Sequence, residues 1–437
     1  MALNLQTTET FPFASDIPAR APLPNDALGL IDFQSGLHMT QAAHAIGNAA
    51  NLVLARDASI PSSGWFYGQS GIEQAAINRW DRIAYDASGA PLGLLIEGDA
   101  TQRVTRAQRN DLSQGVLTGA TILGETPAPA NTWQRWWTVS PTGAGEASLQ
   151  LGTASFTLSY ILVSFELKAG TGRYVQIGSR AGNADAWANF DLNSGRVTAT
   201  GAGVTAAAKR RPGGGWTVYA IVRKATSSIP DVQPYAASIA APDTGKLGAS
   251  GGSFMLRAPM VRGSDSSNLI PGSPWQHETV DSRNADNLQP LTSLLAPTAD
   301  FTAAFRLRSG WAPNQLNAGL FHFVAGSSAI ALRFRADNTL AVTTQAESTV
   351  LLQMTARWAP DTIYRVGVSR TGQQLAVCVN GESGTITSAT FDSVTSWRLG
   401  RHADTGTGAW GGHLQKLVLW AGGRSQADLA AMVDRWV

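Results

Sequence analysis

"ANFDLNSGRVTATG", residues 188–201, decides the fold class. Phe190 and Val197 sit in two short alternating runs, and Asn193-Ser194-Gly195 between them supplies the positive-φ position that a tight hairpin requires. This is an antiparallel β unit. Outward from it the same grammar repeats. "FTLSYILVSFELKAG", "GRYVQIGSR" and "GGGWTVYAIVRK" are strand-like and bounded by glycine turns. Several strands at such spacing imply a sandwich or jelly roll.

Further along, Phe301, Ala303, Phe305 and Leu307 alternate with Thr302, Ala304, Arg306 and Arg308, the pattern of a half-buried strand. Ile330, Leu332 and Phe334 repeat it before an Asp337-Asn338 turn into Leu340 and Val342. Tyr364, Val366 and Val368 are expected to pair, through "RTGQ", with Leu375, Val377 and Val379, which leaves Cys378 on the opposite face. "SQADLAAMVDRWV", 425–437, switches to helical period: Ser425 can cap, Asp428 suits the positive end, and Leu429, Met432, Val433 and Trp436 share a face.

Composition agrees. Among 437 residues 15% are charged, with Gly 45 and Trp 14, which suits turn-rich β structure. The formal charge is +2 without a basic stripe, so nucleic acid is not an expected partner. One cysteine excludes an intrachain disulfide and a cysteine zinc site. No apolar run approaches the roughly 20 residues that span a bilayer, so membrane insertion is not expected. The N-terminus lacks the layout of a signal peptide, which predicts synthesis in a cytoplasm.

The chain is therefore read as all-β: an extended N-terminal arm, two antiparallel β-sandwich modules of jelly-roll and concanavalin A-like type, and a short C-terminal helix. The expected divisions are an arm at 1–30 with Pro12, Pro18, Pro22 and Pro24, a β-rich segment at 31–125, a jelly roll at 126–290 opening after "TPAPANTW", and a second sandwich at 291–437. "GLLIE", 93–97, reads as one short buried strand.

Four segments in order resemble a family of bacteriophage structural proteins, the head spike, head fibre and tail appendage proteins, including those of phage-like gene transfer agents. They are "LARDAS", "NRWDRIAYDASGAPLGLLIEGDATQ", "ANFDLNSGRVTATGAGV" with "GGGWTVYAIV", and "MLRAPMVRGSDSSNLIPGSPWQHETVDSRNADNL". Gln102-Arg103 and Thr217 depart from that family's pattern. "SWRLGRH" with "WGGHLQKLVLW" more loosely resembles the closing strands of a concanavalin A-like (laminin G-like) sandwich. The resemblance implies a carbohydrate-binding-like jelly roll and a virion-surface protein that holds bacterial surface polysaccharide for host adhesion. It further implies a homo-oligomer docked to capsid or tail proteins through its arm. The rival expectations are a capsule-depolymerising enzyme and a structural spacer that binds no glycan.

Sugar sites combine an aromatic platform with polar and acidic side chains. Asp185 and Trp187 in "RAGNADAWANFDL", Trp311 in "LRSGWAPNQLNAG", and Arg401, His402, Asp404 and Trp410 in "GRHADTGTGAWGGH" are the glycan-binding candidates. Each tryptophan has an ordinary packing role as its alternative. Phe190 and Trp216 are expected in the core. No cofactor is expected. Asp404 with backbone carbonyls suggests calcium, but the D-x-D-x-D-G spacing is missing, and no H-E-x-x-H occurs for zinc. Gly248-Ala249-Ser250-Gly251-Gly252 matches G-x-S-x-G without a strand-to-helix setting, and no E-x-D-x-E run occurs, so no catalytic residue is assigned and the protein is read as a non-enzyme.

Overall fold

The hairpin at 188–201 forms as the sequence predicts. Strands Trp187–Asp191 and Arg196–Thr200 pair antiparallel, and Gly195 takes φ +71° in the turn. A computed structural model describes residues 27–32, 34, 37–40, 52–55, 65–67, 73–75, 83–85, 88, 90–96, 100–102, 104, 108, 111–126, 135–152, 154–155, 160–180, 186–211, 214–223, 231–264, 281–283, 287–290, 300–310, 318–325, 328–335, 337–344, 349–388, 391, 394–400 and 410–437. The regular structure of these residues is nearly all antiparallel strand, with an α-helix at Gln426–Trp436.

Two sandwiches result. In the first, one sheet runs in the order Leu37–Thr40, Ala27–Asp32, Gly412–Ala421, Phe301–Ser309, Ile363–Thr371, Gln374–Val379, Glu382–Thr387. Its partner runs Val350–Arg357, Thr339–Thr344, Ser328–Phe334, Gly319–Ala325, Val394–Leu399, Asn287–Pro290, Leu52–Ala55. Their inner faces meet in an aromatic core, where Phe301 stacks on Trp397 at 5.0 Å. Val366 pairs with Val379 and Val368 with Val377, as the alternation predicts.

The second sandwich has one sheet ordered Ala120–Gly124, Trp137–Pro141, Phe254–Ser264, Tyr160–Ala169, Trp216–Arg223, Thr205–Arg210, with Ala100–Gln102 and Asp281–Arg283 attached. The facing sheet runs Arg196–Thr200, Trp187–Asp191, Tyr174–Ser179, Pro234–Ile239, Ala147–Gln150, Val116–Thr118. Ile161, Val163, Phe165 and Leu167 from one sheet meet Val175, Ile177, Ala188 and Phe190 from the other.

The expected divisions need correction. Pro91–Ile96, which holds most of "GLLIE", is a buried strand, but it pairs with the far C-terminal strand: Leu94 opposes Leu414 and Ile96 opposes Gly412. Ala27–Asp32 also pairs there, Leu30 opposite Val418, so the last residues of the expected arm are sheet; residues 1–26 lie outside the described set. The span 31–125 is thus no separate unit. Its strands Leu37–Thr40, Leu52–Ala55, Ile83–Tyr85 and Pro91–Ile96 belong to the first sandwich, Trp65–Tyr67 and Glu73–Ala75 form a two-stranded sheet of their own, and the strands from Ala100 onward belong to the second. The second sandwich is an insertion, entering at Ala100–Gln102 and leaving at Asp281–Arg283, two strands that pair with each other. The boundary expected at 126 falls between two paired strands of one sheet, because Ile122 opposes Val139.

The helix explains a second departure. Phe301–Ser309 was expected to be half-buried, yet Thr302 and Ala304 are as buried as Phe301 and Phe305. Leu429 and Val433 of the helix rest on Ala304, Ala376, Cys378 and Val418, covering the sheet's other side. Gly367 makes the docking possible, since a Cβ there would overlap Val433. Ser425 caps the helix as predicted, accepting from Asp428 N.

Candidate functional site

Trp187 opens its strand on the face of the six-stranded sheet that points away from the core. Ala188 and Phe190, one residue out of phase, are fully buried, whereas Trp187 is only half-buried. In register beside it lies Gly178, and beside Gly178 lies Tyr235. A Cβ on Gly178 would run into the Ala186 carbonyl, so glycine is what lets the two strands approach here.

Polar groups surround this aromatic row. The Arg180 guanidinium lies 5.8 Å from the Tyr235 ring centroid and bonds both the Glu146 carboxylate and Ser148 Oγ, the latter at 2.6 Å. Ser148 Oγ donates to Glu146 Oε1 at 2.6 Å, and Lys246 Nζ reaches the Arg180 carbonyl at 3.4 Å. Burial lowers the Arg180 pKa and raises that of the Tyr235 phenol. The row therefore sets a half-buried indole on the same sheet face as an ion pair, while the Tyr235 ring itself is fully buried.

The middle of the same face is covered. A strap at residues 240–250 crosses it, held by side chains that a strand reading assigns to solvent. Gln176 Nε2 donates to Gly245 O at 3.0 Å and to Asn189 Oδ1 at 2.7 Å, while Gln176 Oε1 accepts from Tyr235 Oη at 2.6 Å and Leu247 N at 2.8 Å. Asn189 Nδ2 donates to Pro242 O and Thr244 O at 3.2 and 2.7 Å. Leu247 adopts φ +57°, a left-handed conformation uncommon for leucine that these bonds hold in place. Ser250, the nucleophile of the formal G-x-S-x-G match, donates to Gly143 O at 2.8 Å within the same segment.

Of the residues singled out from sequence, Asp185, Trp311, Arg401, His402 and Asp404 lie outside the described residues. Trp410 is a correction. It is 0% exposed, wedged among Phe334, Trp358 and Tyr364 with centroids 6.3, 5.3 and 5.6 Å away, and its Nε1 donates to Arg308 O at 2.9 Å. A ring enclosed on all sides offers no sugar platform. Phe190 is core as expected, and Trp216 is half-buried with Nε1 bonded to Leu192 O at 2.7 Å. Arg180, Glu146, Gln176, Asn189 and Tyr235 were missed. Polar residues alternating with Val175, Ile177 and Phe190 signal only an outward face, and nothing local says that a strap from 53 to 71 residues away lands on it. Among the described residues no three metal-ligating side chains gather, and no helix is long and apolar enough to cross a membrane.

No family model and no curated protein matches the chain. Solved structures similar to part of it are carbohydrate-binding modules and domains of glycan-active enzymes. One is the CBM40 module of the Ruminococcus gnavus IT-sialidase, bound to α2,3-sialyllactose, at 15% identity over 31% of this chain and 82% of that one, with a TM-score of 0.25. Another is domain 4 of an extracellular GH43 arabinanase from Geobacillus stearothermophilus, in complex with arabinotriose, at 14% over 34% and 73%, TM-score 0.27. A third is the CBM2 module of the evolved Dit of Lactobacillus casei BL23 phage J-1, at 16% over 32% and 72%, TM-score 0.22. At these scores the likenesses carry no statement about ligand or partner.

Proposed function

We propose that the protein is a glycan-binding appendage: a non-enzymatic structural protein of a phage or phage-like particle that holds bacterial surface polysaccharide through its inserted sandwich. The observation that carries this reading is Trp187, a half-buried indole on an outward sheet face, with Arg180, two residues from the Gly178 that opposes it, and Glu146 as a polar rim on the same face. The C–H face of a pyranose packs on an indole, and its hydroxyls need the mixture of donors and acceptors that this rim supplies. The sequence resemblance over about 50–290 supports the virion assignment. Docking through the N-terminal arm and assembly into a homo-oligomer belong to the same proposal, since many weak sites then act together through effective concentration.

The test is retention of the full-length protein on purified capsular polysaccharide, with polymer length followed by gel filtration. Trp187→Ala is expected to weaken retention at least about tenfold, the loss of one stacked ring, with the polymer unshortened. Shortening of the polymer would make the protein a depolymerase instead. The strap favours a second reading, because it consumes hydrogen-bonding groups in the middle of the face: a spacer whose sheet contacts only protein. Retention by no polysaccharide, with Trp187→Ala altering self-association, would select it.

A further inference from the structure

Beyond the far end of the strand that begins with Trp187, at the rim between the two sheets of the inserted sandwich, lies an open cleft of about 400 Å³. That size is at the lower end of the range for small-ligand sites, roughly 300–1,000 Å³. Its walls are Leu192 and Asn193 from the hairpin turn, Lys168 and Ala169 at the end of Tyr160–Ala169, and Arg210 and Trp216, which oppose each other in register. Trp216 is fixed twice: its Nε1 donates to Leu192 O, and its ring lies against Gly195, where any Cβ would overlap it. The consecutive glycines Gly214 and Gly215, at φ +87° and +85°, turn the chain tightly below the indole, and a Cβ on Gly215 would meet Leu167 O and Lys168. Only a glycine turn leaves this floor open.

The charge here is one-sided. The acids nearby are already engaged. Asp191 accepts from Arg173 at 3.0 and 2.7 Å and also from Asn193 N and Ser194 Oγ, and Glu166 lies 2.8 Å from Arg257 and 3.6 Å from Arg211. Glu125 acts on Lys168 through space while accepting from Trp136 N at 3.2 Å. Arg210 is exposed and, among the described residues, has no carboxylate partner. Lys168 is half-buried with Nζ 4.3 Å over the Trp136 ring, and desolvation followed by repulsion from Arg257 lowers its pKa, a cost an incoming anion would relieve.

We infer that this cleft is a subsite for the carboxylate of an acidic sugar, with Arg210 and Lys168 facing the charge, Trp216 the ring, and the Asn193 amide a hydroxyl. The inference rests on the glycan-binding reading and narrows it to uronate- or sialate-bearing polymers. Five to six residues separate Trp187 from Leu192 and Asn193, roughly 17–20 Å along an extended strand, so one oligosaccharide can reach both places. Two cations, one indole and an amide suit a carboxylated ring; a polyanionic backbone requires a longer basic track.

The test uses the full-length protein and a panel of galacturonate, glucuronate and sialate polymers, each paired with its carboxyl-reduced counterpart, read by affinity electrophoresis. The wild type is expected to hold at least one acidic polymer about tenfold more tightly than its reduced form, as a charge-assisted contact implies. Arg210→Ala, on an exposed side chain, abolishes that preference and leaves retention of the reduced polymer unchanged; Arg210→Lys restores part of it; salt weakens only the acidic arm. Equal retention of every acidic and reduced pair overturns the inference while leaving the Trp187 site standing. An undiminished preference in Arg210→Ala, or competition by inorganic phosphate as strong as by free uronate, overturns it as well. Retention of no polymer by the wild type brings down the glycan-binding reading together with this one.

Discussion

The two sandwiches use aromatic residues in opposite ways. In the outer frame, built from the two ends of the chain, Trp358, Tyr364, Phe334 and Trp410 pack edge to face inside the core, and the back of one sheet is sealed by a helix. In the insert the core is mostly aliphatic, and Trp187, Trp136 and Trp216 stand at the surface beside arginine, lysine and carboxylate. A tryptophan count cannot separate these uses. What separates them is position as well as register: Trp187 is out of phase with the buried residues of its strand, whereas Trp216, in phase with Val218 and Ala220, reaches the surface because it begins its strand at the rim of the sandwich.

The sharpest way to break this contrast is Trp410→Ala. Removing a fully enclosed indole is expected to destabilise the frame by about 3–5 kcal/mol in urea titration, with glycan retention preserved wherever the protein remains folded. Loss of retention without loss of stability would place the ligand in the frame and reverse the comparison. A smaller effect is expected from Gln176→Ala, which strands Leu247 N, Gly245 O and the Tyr235 hydroxyl. Because Gly245 O and Leu247 N are only part-buried, water replaces their lost partner and the net cost is about 1–3 kcal/mol, seen as faster proteolysis at 240–250 while the frame unfolds as before.

The smallest effect is a dependence on pH. Hydrogen bonds from Arg173 hold the Asp191 carboxyl well below the usual carboxylate range, helped by bonds from Asn193 N and Ser194 Oγ. Because the folded pKa is depressed, the unfolded chain takes up the proton first. The stabilisation is full above about pH 4, where an unfolded aspartate ionises, and is lost as pH falls through the folded value. Unfolding of the insert should therefore steepen with acid below pH 4, and Asp191→Asn should flatten that slope without changing the frame.

Strand existence was legible in the sequence because period-two alternation is local: the pairing of 366–368 with 377–379 and the turn at Gly195 follow from neighbours a few residues apart. Sheet membership was not. Nothing in "GLLIE" says that its partner is the strand at 412–414, and nothing in Ala304 says that a helix 125 residues later covers it. The candidate site divides in the same way. Trp187 was legible as an aromatic at a strand edge, while Arg180 and Glu146, 34 residues apart, meet only through the sheet. Trp410 misled because it ends a glycine-rich loop, the setting of a ligand contact, yet points inward.

The insertion also sets the order in which the chain can fold. Leu30 waits for Val418, so nearly the whole polypeptide must leave the ribosome before that sheet can close, whereas every strand pair of the insert lies between residues 100 and 283. Contacts this distant form slowly, and their strands remain exposed in the meantime. The insert is thus placed to fold during synthesis and, by bringing Ala100–Gln102 beside Asp281–Arg283, to turn a gap of nearly 200 residues into a short bridge. The inserted module becomes the splint on which the rest of the protein is assembled.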